Sequence, residues 1–356
     1  MQRRSFLSCV AAACAALAVS QAGSVAAAEG DRPVGGSAGH HRLSGPFVHE
    51  NLAIYLVHGV PDGGPVPLTL QEALETGSFK VYETDDVNEL AVQNLGEAPV
   101  FVQSGDIVKG GRQDRVLTVS LVLPPKSGRV SIGAFCVEQG RWRARGQERS
   151  DSFASAEEAL PSREAKLAIR APKPPAGTGR GGDLDRRQQE VWQGVSEIQG
   201  KLARSLGTSV TAAASPSSLQ LALEHEELRQ SRAAYYDALH AVGLRAPDVV
   251  GYVFAINGKV NSADVYPSNG LFRKMWPKLL KASAAEAIGE RDGTSAVAAP
   301  SASRVAAFLR TAEAGRASRD KLARHAELET REGAEAFFFE SRSADGGWVH
   351  RNYLAK

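Results

Sequence analysis

Apolar positions change rhythm along the chain. From Phe47 they come in short runs broken by turn residues: "NLAIYLVHG" and "FKVYETD" predict strands, and "TLQEALETG" between them predicts a short helix closed by Gly77. "ELAVQNLG", "APVFVQSG", "RVLTVSLVLPP" and "VSIGAFCVEQGRW" follow as further strand-like runs. The prolines and glycines of "APKPPAGTGRGGD", residues 171–183, mark a linker. Beyond it, Val191, Trp192, Val195, Ile198 and Leu202 recur at helical spacing, and Leu223, Leu228, Tyr235, Leu239 and Val242 do so less regularly. "VVGYVFAINGKVNSADVYP" predicts a hairpin turning at "NGK", followed by a helix in "LFRKMWPKLLKASAAEAI". A last helix is expected over 303–330 and a closing hairpin in "AEAFFFESRSADGGWVHRNYL". The pattern predicts an α+β fold, with a β-rich N-terminal module over 46–150 and an α+β part over 184–354 whose helices and hairpins pack against it.

Residues 1–28 break this pattern. Arg3 and Arg4, an alanine-rich apolar stretch and the small Ala26–Ala28 follow in the order of an export signal, with cleavage expected after Ala28. The paired arginines before "SFL" predict the twin-arginine route, an ordinary secretory signal being the alternative, and a periplasmic destination. Polar, glycine-rich residues 29–45 read as a flexible leader, and no membrane span is expected in the mature protein. Cleavage removes two arginines and no acid from 42 basic and 40 acidic side chains, so the mature charges balance. That balance argues against nucleic acid or a membrane surface as partner. Of the three cysteines only Cys136 lies outside the signal, which leaves no intramolecular disulfide.

The sequence contains no HExxH, paired CxxC or Walker loop, and no metal or cofactor is expected. In "SGDIVKGGRQDRV", Gly110 and Gly111 can present backbone N–H groups while Lys109, Arg112 and Arg115 meet an anion. Strand alternation places Gln113 with Arg115 on one face and Arg112 with Asp114 on the other. A tight hairpin with Asp106 and Arg115 paired across it is the plainer alternative. "FCVEQGRW" sets Cys136 and Glu138 on one strand face, with Arg141 and Trp142 beyond a glycine turn. Glu138 offers a base, and a buried Cys136 beside a Glu138–arginine pair is the competing reading. Asn257, Asn261 and Asp264 could bind polar groups, although hairpin chemistry accounts for Asn257, and His350 is a possible acid or base whose plainer reading is aromatic packing near Trp348 and Tyr353.

Taken in order, "SGDIVKGGRQDRVL", "CVEQGRW" and "GYVFAINGKVNSADVYPSNGLFRKMWPKLL" resemble the family named for its association with ADP-ribosylglycohydrolases and rhodanese-phosphatase proteins. The resemblance runs from about Phe47 to Tyr353 and implies one family domain over 46–354, in the context of NAD-derived or ADP-ribose metabolism. It supplies no catalytic residue. The expected function is an exported binding protein for an anionic, nucleotide- or ADP-ribose-like small molecule, held by Gly110, Gly111, Gln113, Arg115, Arg141 and Trp142. One alternative is a hydrolase-like enzyme on an ADP-ribose or phosphoester substrate, with Glu138 or Asp106 as general base. The other is a structural or interaction protein of the cell envelope.

Overall fold

The computed structural model describes residues 33–34, 41–61, 63–141, 152–170, 180–291, 297–323 and 326–356. The predicted signal, most of the leader, linker residues 171–179 and Trp142 lie outside the described residues.

The chain opens with β1 (Pro33–Val34), β2 (His41–His49) and β3 (Leu52–His58). Residues 41–45, read as leader, are thus strand, and their register with β3 is irregular between Ser44 and Phe47. β4 (Leu68–Thr69) runs into α1 (Leu70–Glu75), started by a Thr69–Glu72 capping box. Then follow β5 (Phe79–Glu83), β6 (Glu89–Asn94), β7 (Val100–Val102), β8 (Asp106–Gly110), β9 (Arg115–Leu117), β10 (Leu121–Leu123), β11 (Gly128–Cys136) and β12 (Phe153–Ala159). The helical stretch comprises α2 (Arg163–Arg170), α3 (Arg180–Leu206), α4 (Leu219–Leu223) and α5 (Glu226–Leu239). The "NGK" hairpin forms as expected between β13 (Val249–Ile256) and β14 (Lys259–Val265), with Asn257 and Gly258 at positive φ. After α6 (Asn269–Gly289) come α7 (Ala302–Glu313), β15 (Arg316–Ala323), β16 (Ala326–Glu332), β17 (Ala336–Ser343) and β18 (Trp348–Ala355).

The helix expected over 303–330 therefore stops at Glu313. Gly315 passes so close to the backbone of Glu332 that an added Cβ would lie 2.6 Å from its carbonyl carbon, and the chain continues as β15 paired with β16. A period-two pattern of charged residues had no apolar stripe to reveal it.

Among the described residues the strands form a nine-, a six- and a three-stranded sheet. The nine-stranded sheet runs β1-β2-β3-β13-β14-β18-β17-β16-β15, so strands from both ends of the chain are interleaved. β3 and β13 are buried at every position, as expected of central strands covered on both faces. The main core joins Phe101, Ile107 and Phe135 of the β-rich part to Val191, Phe272 and Trp276 of the helices, which makes the whole an α+β fold around a shared interior.

Candidate functional site

The glycine loop and the "CVEQGRW" segment meet in one buried cluster. β8 and β9 form a hairpin in which Val108, not Asp106, faces Arg115. Gly110, at φ 117°, donates its N–H to Asp114 Oδ1 at 3.0 Å, and an added Cβ would lie 2.5 Å from the Ser152 carbonyl oxygen. Arg141 ties the cluster together. Its Nε donates to Glu138 Oε2 at 2.6 Å, and its Nη2 reaches Asp114 Oδ1 and the Gly110 carbonyl, both at 3.2 Å. Nη1 donates to the Gly111 carbonyl at 3.3 Å. Arg115, 1% exposed, donates to Gln113 Oε1 at 3.1 Å and lies 3.5 Å from the Glu83 carboxylate. The Cys136 thiol also donates to Gln113 Oε1, at 3.0 Å, and burial pushes its pKa up, away from a nucleophilic thiolate.

Gly110, Gly111, Gln113, Arg115, Glu138 and Arg141 are thereby brought together, with their charges largely matched among themselves and by Asp114 and Glu83. Asp106 is elsewhere: its carboxylate takes a 2.7 Å contact from Lys278 Nζ and a 2.8 Å hydrogen bond from the Gln103 N–H. The two carboxylates read as bases belong to separate buried ion pairs. Lys109 turns away to Glu224 at 2.5 Å.

The same sequence stretch does border a cavity, through Ser104 and Gly105 at its beginning and Gln103 just before it. The cavity, of about 30 Å³, lies against a row of side chains crossing the nine-stranded sheet. Register sets Tyr252 opposite Asp264, Asp264 opposite Asn352, and Asn352 opposite Phe339, so these residues share one face. α2 lies over that row. Ser162 caps it by accepting from the Ala165 N–H at 3.2 Å, and Lys166 and Arg170, four apart, line the cavity.

Asp264 is held in place. Its Oδ1 accepts from His350 Nε2 at 3.0 Å and Asn352 Nδ2 at 2.9 Å. Burial pushes its pKa upward, but the His350 hydrogen bond and the nearby cations Lys166 and Arg170 bring it below the ordinary carboxylate value. Burial in turn lowers the His350 pKa despite Asp264, keeping the ring neutral. With Nε2 donating, Nδ1 accepts from Ser120 Oγ at 2.9 Å, and Ser120 Oγ accepts from the Ser104 N–H at 2.9 Å. Serine, histidine and aspartate here resemble a hydrolytic triad in composition, but Ser120 is wholly buried and is not among the residues that line the cavity.

Arg170 has no such matching. It is 8% exposed, its guanidinium carbon sits 4.8 Å from the centre of the Phe339 ring, and it makes neither a hydrogen bond nor an ion pair among the described residues. Burial lowers its pKa to about 10, offset in part by the field of Asp264, so it stays charged at neutral pH. Lys166 is shared with Glu286 at 3.2 Å. A second buried donor, Ser104 Oγ, has no partner among the described residues and belongs to the same lining. Sequence reading passed over Arg170 because its environment is assembled from strands distant in the chain. The only local signal was an arginine four residues after Lys166, at the end of a short helix.

A larger cleft of about 570 Å³ is lined by Lys109, Glu157, Glu158, Glu224 and Arg232, among others. Its cations are already matched: Lys109 with Glu224, and Arg232 with Glu158, both at 2.5 Å. It therefore lacks the unsatisfied charge found at Arg170.

Comparison with curated proteins and with solved structures gives no match in either case. A family model does match, over residues 40–354, which takes in β2 through all but the last residue of β18, the glycine-loop cluster and every residue of the cavity. The chain belongs to the family described as the ARG and Rhodanese-Phosphatase-superfamily-associated Protein domain.

Proposed function

We propose that this chain is an exported binding protein for an anionic small molecule, held at the Arg170 cavity. One observation carries the reading: Arg170, only 8% exposed as a residue, lines the cavity, and its guanidinium has no acceptor among the described residues. An unmatched buried charge costs several kcal/mol, and an anion bound there would offset that cost. Binding is favoured over hydrolysis because Glu138 and Asp106 are each engaged by a buried cation. Export rests on the order of basic, apolar and small residues in 1–28.

Calorimetric titration of the purified protein with carboxylates, sugar phosphates, nucleotides and ADP-ribose tests the reading. One saturable site without turnover is expected, weakened about ten- to hundredfold by Arg170→Met through loss of a charge-assisted contact. Equal binding by that variant refutes the site. An N-terminus at Met1 in cytoplasmic protein refutes export.

A further inference from the structure

Resting on that reading, we propose that the cavity accepts a small planar monoanion of formate or nitrate size, and not a phosphoryl group or nucleotide. Three observations lead there. First, a volume of about 30 Å³ holds about two or three waters, and a planar oxyanion of three or four heavy atoms fills such a space where a tetrahedral phosphoryl bearing a nucleoside does not. Second, the donors match: a guanidinium offers parallel N–H groups in one plane, suited to two oxygens of a planar oxyanion, and Ser104 Oγ adds a hydroxyl donor on the same lining. Third, the charge selects against dianions. Arg170 and Lys166 face one carboxylate, Asp264, across the lining, and part of the Lys166 charge is spent on Glu286. The surplus is at most one positive charge, and the fixed Asp264 would repel a second negative one.

The site is then an oxyanion pocket at the meeting of α2 with the face of the nine-stranded sheet. The glycine-loop stretch contributes to it through Ser104 and Gly105. The recognised group is either a free small anion or the carboxylate of a compound whose remainder reaches out of the cavity; free formate and a series of longer monocarboxylates separate the two.

Thermal unfolding of the full chain decides. Formate and nitrate, each at about five times its half-saturating concentration and compared with chloride at equal ionic strength, should raise Tm by about 2 °C. Phosphate and ADP-ribose should add nothing. Arg170→Met should abolish the response without lowering the basal Tm, because an unmatched charge is replaced by an apolar chain of similar length on Phe339. Ser104→Ala should weaken formate several-fold, and this second variant keeps the test intact should the first fail to fold. If phosphate or ADP-ribose raises Tm through Arg170 while formate does not, the limits on size and charge are wrong but anion binding at Arg170 stands. Failure of every anion to shift Tm overturns both, as does an unchanged formate response in Ser104→Ala alongside folded Arg170→Met that still responds.

Discussion

His350 is placed so that its protonation must break the arrangement around the cavity. As a neutral ring it donates to Asp264 through Nε2 and accepts from Ser120 through Nδ1; as a cation it has a proton on both nitrogens and loses the acceptor that Ser120 needs. Burial holds its folded-state pKa below the ordinary 6.5, so the unfolded chain binds the proton more readily. Stability from this residue is therefore complete above about pH 6.5 and is lost as pH falls below it, with a slope of up to about 1.4 kcal/mol per pH unit. Asp264, whose pKa is lowered, acts in a different window, its contribution being lost only as pH falls below the ordinary 3.8. Urea midpoints between pH 7.5 and 5 should show the fall in wild type and a shallower one in His350→Gln. Equal slopes would show that His350 is not the titrating group. None of this was readable at His350 itself, since "GWVHRNYL" is equally a packed aromatic stretch until β18 is placed beside β14.

Elements with a local code were legible in the sequence. The "NGK" hairpin, the capped α1, the amphipathic α3 and the closing β17–β18 hairpin all carry their turn, cap or period within a dozen residues. β15, by contrast, became a strand through its pairing with β16 and not through its own composition. The glycine loop stands between these cases: its residues lie together with those of "CVEQGRW", but the matching of Arg141 by Glu138 and Asp114 depends on β11 folding back beside β9. Gly110 is the position where the loop tolerates least. A side chain there would combine an unfavourable φ with a 2.5 Å approach to the Ser152 oxygen, so Gly110→Ala should cost at least about 1–3 kcal/mol, measured as a lowered urea midpoint. Retained stability would mean that the β8–β12 contact at Ser152 is not part of the folded protein.

At the scale of the whole molecule, the linker at 171–183 suggested two parts, and the family match and the sheet unite them. Residues 180–183 already belong to α3, and β3 of the first part pairs along its length with β13 of the second. Neither part can cover its own apolar strand, so fragments 29–170 and 180–356 should each lack cooperative unfolding when made alone and regain it when mixed. A folded, monomeric 180–356 fragment would contradict this. The cavity has the same origin, because Ser104 and Arg170 come from one fragment and Asp264 and Asn352 from the other. The β3–β13 pairing also sets a clock on biosynthesis. Leu52 lies opposite Ile256, about 200 residues later, and at roughly 5–20 residues per second that separation takes about 10–40 s to translate. For that interval the wholly buried run Leu52–His58 lacks its β13 neighbour. It stays open to chaperones and to aggregation along that edge while the nascent chain waits for its later half.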